Sequence, residues 1–429
     1  MTSTDPTEAL TTPGHPIDPP SIALPARSNN RLAVRITKDA QRQLRSGHPW
    51  VYDSSITSVN GEGAPGDLAV IFDEQRKFVA IGLWDPSSPI RIKILHRGRP
   101  ATIDGTWWRK QISASIERRS ALLEPAGDTT AYRCVNGESD GLPGLILDRY
   151  DDHYVLKLYS PGWFPHLVDV VPAIVETTQC ASLVLRWSRA VAASNVHGLH
   201  EGMALHGAAP TAPVMFRENG LRFEADLIAG QKTGFFLDQR DNRARVRTLT
   251  RGARVLDLFS CTGGFSVSAA AGGAVDVTSV DISPGALAAA ERNMAHNADV
   301  PTVRHSRHRI IEGDAFRVME QLARSGQRYD VIIIDPPSFA QNQASVDRAL
   351  SAYAKLTELG LQLLHPGAVL VQASCSSRVT RSDFFNSIFD VADARGIRLE
   401  EIDHTGHALD HPATFPQAMY LKALFARRG

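Results

Sequence analysis

Four aspartates stand where short apolar runs give out: Asp257 in RVLDLFSCTGG, Asp281 in VDVTSVDIS, Asp314 in RIIEGDAF and Asp335 in YDVIIIDPPSF. A carboxylate accepts hydrogen bonds from ribose hydroxyls and from the amine edge of a nucleobase, and it favours a neighbouring cation. Four of them in this order would surround a nucleoside carrying a sulfonium, which is S-adenosylmethionine. They would suit a pyrophosphate badly. The glycine-spaced GxGxxG turn that brings backbone N–H groups onto a pyrophosphate is also missing, since Gly263 and Gly264 are fewer and later. The predicted cofactor set is Asp257, Phe259, Ser260 and Gly263 in the first turn, then Asp281 and Ile282, Asp314 and Ala315, and Asp335. The four cysteines, Cys134, Cys180, Cys261 and Cys375, have no zinc-ligand spacing, so no metal is expected.

The thiol of Cys375, in VLVQASCSSRVT, decides between two chemistries. DPPSF is of the (Asn/Asp)-Pro-Pro-aromatic kind that holds a planar base, with the acid and a proline carbonyl on its polar edges and a ring on its face. Its aromatic residue, Phe339, comes one place late, after Ser338. Methylating an exocyclic amine needs nothing more. Carbon 5 of a pyrimidine, by contrast, is too poor a nucleophile to take a methyl group until a thiolate adds to carbon 6 and makes it enamine-like. A free cysteine has a pKa of about 8.5, so such a site must favour the thiolate or pass its proton onward. Asp335 would hydrogen-bond N3 or N4 of cytosine and stabilise the adduct. The predicted catalytic pair is therefore Cys375 and Asp335. Cys134, Cys180 and Cys261 read as packing residues.

These residues need a frame that brings strand ends together. From about Val255 the sequence alternates strand, turn and helix: RVLDLF, VDVTSVD, RIIEGD, YDVIIID and AVLVQAS are separated by helical stretches such as PGALAAAERNMAHN. That rhythm predicts an α/β, Rossmann-like sheet with helices on both faces, binding ligands beyond the C-terminal strand ends. The last two runs, IRLEEID and AMYLKALFARR, predict an antiparallel edge and a mixed, seven-stranded sheet. Ahead of it, short alternating runs from Leu32 to about Pro100 predict a small all-β domain, and 106–217 reads as a central α+β domain. Residues 1–29 are rich in Pro, Thr and Ser and read as a disordered extension. The expected division is thus 1–29, 30–105, 106–217 and 218–429.

In the 429-residue chain, Lys plus Arg and Asp plus Glu both total 46, so net charge names no partner. Its distribution does: Arg27 to Arg119 holds 16 Lys/Arg against 9 Asp/Glu, a basic front suited to a polyanion. No run approaches the roughly 18 apolar residues of a membrane helix, and the N-terminus has neither the basic start nor the apolar core of a secretion signal. With four scattered cysteines, a cytoplasmic location is expected. The sequence leaves the oligomeric state open, a homodimer included.

The motifs GQKTGFFLDQRDNR, LDLFSCTGGFSVSAA, VDISPGALAAAERN, DVIIIDPPSF, SCSS and DHPATFPQAMYLK occur in this order. Together they resemble the bacterial large-subunit ribosomal RNA cytosine-C5 methyltransferases that carry an N-terminal PUA domain, a match running from about Leu32 to the C-terminus. RLAVRITKDAQRQLRSGHPWVYDSSI resembles the start of that PUA domain, and GESDGLPGLILDRY the central domain. The resemblance implies methyl transfer from S-adenosylmethionine to carbon 5 of a cytosine in 23S rRNA, before or during ribosome assembly. It implies that Cys375 is the nucleophile and Asp335 the motif acid. It also implies that QKTGFFLDQR folds over the cofactor, adding Gln231, Lys232 and Thr233 to the binding set, and that the PUA domain holds structured RNA through phosphate contacts. Many RNA cytosine-C5 methyltransferases keep a second cysteine after the proline of the fourth motif. This chain has Pro337 and Ser338 there, so another group must remove the carbon-5 proton. Two other readings stay open: an RNA base amine N-methyltransferase, for which DPPSF suffices, and a non-catalytic RNA-binding assembly factor.

Overall fold

The computed structural model describes residues 23–123, 127–340 and 342–429. Most of the 1–29 extension expected to be disordered lies outside the described residues. Its described end is tied down: Leu24 packs on the central core, Arg27 pairs with Asp169, and Ser28 and Asn30 both donate to Asp67.

The C-terminal sheet carries the site. In chain order its strands are Arg254–Leu258, Asp276–Asp281, Arg307–Glu312, Tyr329–Ile334, Leu364–Ser374, Leu399–Thr405 and Lys422–Arg428. They lie side by side in the order 3-2-1-4-5-7-6, and only the seventh runs antiparallel to its neighbours. The strand sequences are apolar at successive positions because both faces are covered. Period-two alternation splits them between two cores. Val255, Val277, Val331, Ile333 and Val371 face one, and Leu256, Leu258, Ile332, Ile334 and Leu370 the other. Strands four and five pair in parallel with Ile334 opposite Gln372, so the residues that follow, Asp335 and Cys375, leave the sheet at the same edge.

The front unit is a six-stranded sheet that also holds one helix, Lys38–Arg45, where an all-β unit was expected. The local cause is legible: the Thr37 side chain accepts from the Ala40 N–H as N-cap, and Ala40 and Leu44, four apart, bury one face. The central unit has a five-stranded sheet with the helices Gly105–Leu123 and Leu167–Thr178 packed together and Trp108 and Trp163 fully buried. Between it and the last unit stands a hairpin, Val214–Glu218 with Leu221–Ala225. The expected boundary at 217/218 would cut this hairpin, whose Phe216 and Phe223 share a core with Phe235 and Val255 of the C-terminal unit.

Candidate active site

The C-terminal ends of strands one to five open onto a cavity of about 780 Å³, roofed by the segment from Gln231 to Arg243. Of the predicted residues, Gln231, Lys232, Phe259, Ser260, Asp281, Ile282, Asp314, Ala315, Asp335 and Cys375 lie in its wall. Three wall residues hold a left-handed backbone without being glycine: Lys232 (φ 54°), Phe259 (φ 60°) and Cys261 (φ 46°). Each such residue costs about 1–3 kcal/mol, and strain of this kind gathers at functional sites.

At the second and third strands the carboxylates fix the loops that form the wall. Asp281 accepts from the Cys261 N–H through Oδ2 and from the Ser283 N–H through Oδ1, both at 2.9 Å. Asp314 caps the helix Ala315–Arg324 by accepting from the Arg317 N–H at 3.1 Å. Ile282 next to Asp281 is 72% exposed, a bare apolar surface in the wall. Cys261, read as packing, is itself a wall residue.

Three predicted cofactor residues are elsewhere. Asp257 is inside the first strand rather than at its end, and it is fully buried behind the wall; Ser266 Oγ donates to its Oδ2 at 2.6 Å. Burial, opposed by that bond and aided by Asp335 and Asp281, lifts its pKa to about 7. Gly263 begins a helix with φ 77°, and a Cβ there would fall 2.7 Å from the Ala290 Cβ, so this glycine serves helix packing rather than ligand approach. Thr233 is buried under the central sheet, its Oγ1 donating to Asp148 Oδ2 at 2.7 Å and 3.1 Å from the Tyr150 hydroxyl.

At strands four and five the thiol meets DPPSF directly. Cys375 Sγ lies 3.8 Å from the Pro336 carbonyl oxygen. Its neighbours pin it: Ser374 Oγ is 2.9 Å from the Tyr353 hydroxyl, and Ser376 Oγ donates to the Ala340 carbonyl at 3.2 Å. Phe339, the late aromatic, packs its ring 5.2 Å from Tyr353 while bordering the cavity. Gln239 Nε2 donates to Asp335 Oδ1 at 2.9 Å. Asp335 faces the cavity yet is crowded by protein; burial first and Asp238 second push its pKa up to about 7, against Lys232 and Arg243. Burial, with Asp335 next, pushes the Cys375 thiol up to about 11.

Several groups at this end lie in quoted motifs without having been assigned a role. Asp238 lies in the wall, its Oδ2 accepting from Lys232 Nζ at 2.7 Å and from the Tyr420 hydroxyl at 2.9 Å. Burial alone would raise its pKa, but Lys232, His411 and Arg133 hold it well below the usual carboxylate range. Lys422 is buried with its ammonium on the carbonyls of Ser376, Val379 and Tyr420, which fixes the turn that follows Cys375. The segment DHPATFP, expected either to rim the pocket or to be a stiff turn, is outside the wall and ties the units together. Asp410 is fully buried and accepts from the Arg133 N–H at 2.8 Å, and Asn136 Nδ2 donates to the Pro412 carbonyl at 2.8 Å. A lysine inside the apolar run YLKALF and an acid in FLDQR were the available signals.

The cavity has the features a nucleoside cofactor needs. Ser260 Oγ in the wall and Asp257 Oδ1 behind it are buried without a hydrogen-bond partner, and exposed Ile282 beside the Asp281 carboxylate offers an apolar face to a planar base. A family model described as S-adenosylmethionine-dependent methyltransferase matches residues 202–427, and a PUA-like domain model matches 34–97. A "Ribosomal RNA large subunit methyltransferase" from Deinococcus radiodurans is 46% identical over 408 residues, covering 94% of this chain and 99% of that protein. A "Ribosomal RNA large subunit methyltransferase I" from Pseudoalteromonas translucida is 34% identical, covering 92% and 99%. A solved structure described as "A putative sam-dependent methyltransferase from Streptococcus mutans" shares the fold at 22% identity, with a TM-score of 0.78 over 92% of this chain and 99% of that one. A structure described as "a putative methyltransferase complexed with SAH" shares it at 23% identity, with a TM-score of 0.78 over 93% and 100%. With its cavity, its PUA-like front and these relatives, the chain belongs to the S-adenosylmethionine-dependent ribosomal RNA large subunit methyltransferases.

Proposed function

We propose that this protein methylates carbon 5 of a cytosine in large-subunit rRNA through a covalent adduct between Cys375 and carbon 6. The observation that carries this reading is the thiol's place, 3.8 Å from the Pro336 carbonyl and in one cavity wall with Asp335. Bound S-adenosylmethionine supplies an electrophilic methyl group. Residues at the ends of the first three strands hold it: Ser260, Asp281, Ile282 and Asp314, with Gln231 and Lys232 from the roof. Asp257 and Thr233 brace the site from behind and beside it.

Asp335, with a pKa of about 7, populates both protonation states near neutrality. Protonated, it donates to N3 of the pyrimidine; ionised, it accepts from N4. At about 11 the thiol rests in its neutral form, so its proton leaves as sulfur attacks, and Asp335 is the charged group with the largest effect on that thiol. The basic PUA-like front gives affinity through phosphate, and the cavity selects an unstacked base. We assign the RNA-contacting front to 30–105, the central unit to 106–213 and the transferase unit to the remainder, in a cytoplasmic protein. Among the described residues no helix is long and apolar enough to cross a membrane.

RNA containing 5-fluorocytidine tests the chemistry, because fluorine cannot leave as a proton does. Wild type with S-adenosylmethionine is expected to yield a complex stable on a denaturing gel, and Cys375→Ala none. Methylation without any trap points instead to an exocyclic amine.

A further inference from the structure

We propose that Gln239 is a positioning residue that gives the two oxygens of Asp335 unequal roles, holding Oδ1 as an acceptor and leaving Oδ2 to face the pyrimidine. This deepens the cytosine-C5 reading and rests on it. Gln239 Nε2 donates to Asp335 Oδ1 at 2.9 Å, and both residues lie in the cavity wall. Asp335 is only partly buried. Its Oδ2 takes no hydrogen bond among the described residues and keeps surface on the cavity.

Gln239 does not set its orientation alone. It stands at the entry to the helix Arg240–Arg247, and Asn242, one turn on, donates from Nδ2 to Gln239 Oε1. Thr405, at the end of the sixth strand, donates its hydroxyl to Asn242 Oδ1. Gln239 is 3% exposed and Asn242 1%, so water does not compete for these bonds. The row from Thr405 through Asn242 and Gln239 to Asp335 is a chain of donors pointing one way. Each amide has its oxygen occupied from behind and presents its N–H ahead. Reversing the row would set Gln239 Oε1 against Asp335 Oδ1, and an ionised carboxylate has no proton to offer it.

The other groups around Asp335 act on it through charge. They are Lys232, Asp238 and Arg243 from the roof, Asp257 from the first strand, Cys261 from the turn after it, and Cys375 from the fifth. Among the described residues only Gln239 hydrogen-bonds to the carboxyl. A nearby charge acts on both oxygens together, whereas a hydrogen bond tells them apart. With an N–H on Oδ1, a proton taken up by Asp335 goes to Oδ2 and points at the ring. Donated to N3, it draws electrons from carbon 6 and prepares that carbon for sulfur. Ionised, the same Oδ2 accepts from N4. Without Gln239 the carboxyl would be free to turn and carry its proton toward the roof.

The test uses the full-length protein, S-adenosylmethionine and transcribed large-subunit rRNA, with rates taken per folded protein from the amplitude of thermal unfolding. Gln239→Met keeps the length of the side chain and removes its N–H. The turnover number should fall about 10–100-fold, the scale of one lost hydrogen bond to a charged group, with KM for RNA within about threefold of wild type. The N–H favours the ionised form of Asp335, so its loss should move the pH at which cofactor affinity levels off upward by about one unit. In an Asp335→Asn background, Gln239→Met should leave that curve where it is. Asn242→Asp puts an acceptor where Gln239 needs a donor, and should cost as much as Gln239→Met although Gln239 is intact. Asn242→Ala, which leaves the amide free to face Asp335, should cost only about threefold. The Asn242 pair decides alone if Gln239→Met does not fold. An unshifted curve in Gln239→Met, or equal losses in Asn242→Asp and Asn242→Ala, overturns the positioning role, while trapping of 5-fluorocytidine RNA by wild type keeps the Cys375 chemistry standing. Failure of wild type to trap that RNA removes the covalent reading and this proposal together.

Discussion

The two ends of the cavity are built by different means. Where strands two and three end, each carboxylate secures a nearby backbone N–H: Asp281 holds Cys261 and Ser283, and Asp314 caps its own helix. Where strands four and five end, the supports come from far along the chain. Gln239 reaches Asp335, Tyr420 reaches Asp238, and Lys422 binds the turn after Cys375. The first end is a repeated local device that any strand–turn–helix unit can supply. The second is an assembly of distant charges whose mutual perturbation sets proton affinities. Binding and chemistry are therefore separable by mutation.

The sharpest separation is Cys375→Ala. Loss of a covalent nucleophile should lower methyl incorporation into rRNA by about 1000-fold or more while the cofactor dissociation constant, read by calorimetry, moves less than twofold. A comparable loss of cofactor affinity would show that the two ends are one unit. The reciprocal variant is Asp281→Ala. Hydrogen bonds to a charged group contribute about 1.5–3 kcal/mol, so cofactor should bind roughly 10–100-fold more weakly. At saturating cofactor the turnover number should hold within a few-fold, and a collapse of turnover there would place Asp281 in the chemistry.

That contrast also governs what the sequence disclosed. The sheet, its order of carboxylates and the neighbouring exits of Asp335 and Cys375 follow from period-two apolar runs and from alternation of strand and helix, both local properties. Asp257 misled because an acid in LDLF reads as a strand end, while its side chain turns inward to Ser266 and never reaches the wall. Gly263 misled because a glycine needed for helix packing against Ala290 has the same letter as one needed for a ligand. Thr233 sat inside a motif whose neighbours Gln231 and Lys232 do face the cavity. Asp238 and Lys422 lay in quoted motifs without being singled out. Their roles depend on contacts across 182 residues in one case and 46 in the other, which no local spacing encodes.

A smaller effect probes the field the two ends share. Burial lifts Asp257 and Asp335 to about 7, so both are partly protonated at neutral pH. A cation bound in the cavity that Asp335 lines, and in front of the wall that hides Asp257, favours their ionised forms, so binding S-adenosylmethionine releases protons. Its affinity should rise, not fall, as pH climbs to about 7 and level off above it, by roughly up to tenfold for each pH unit and ionising group in the steep range below 7. SAH, whose sulfur is a neutral thioether, should show a shallower slope, and Asp335→Asn should flatten the curve for S-adenosylmethionine. A slope equal for the two ligands in wild type would break the link between these carboxyls and the sulfonium charge.

The least drastic test asks whether the front unit reaches the chemical end through the loop between the last two strands. Trp50 of the front sheet meets Phe415 edge-on at 5.2 Å and donates its indole N–H to Glu138 of the central unit at 2.9 Å. The same loop then runs to Tyr420, whose hydroxyl holds Asp238. An aromatic pair of this kind contributes about 0.5–1.5 kcal/mol beyond its buried area, so Phe415→Ala should cost roughly 2–12-fold. If the loop transmits the hold of the front unit on RNA, that loss appears in kcat/KM for full-length rRNA and vanishes for a short stem-loop that carries the target cytosine but cannot span to the front unit. An equal loss on both RNAs would instead assign Phe415 to the support of Tyr420 and Asp238, placing the loop wholly with the chemical end.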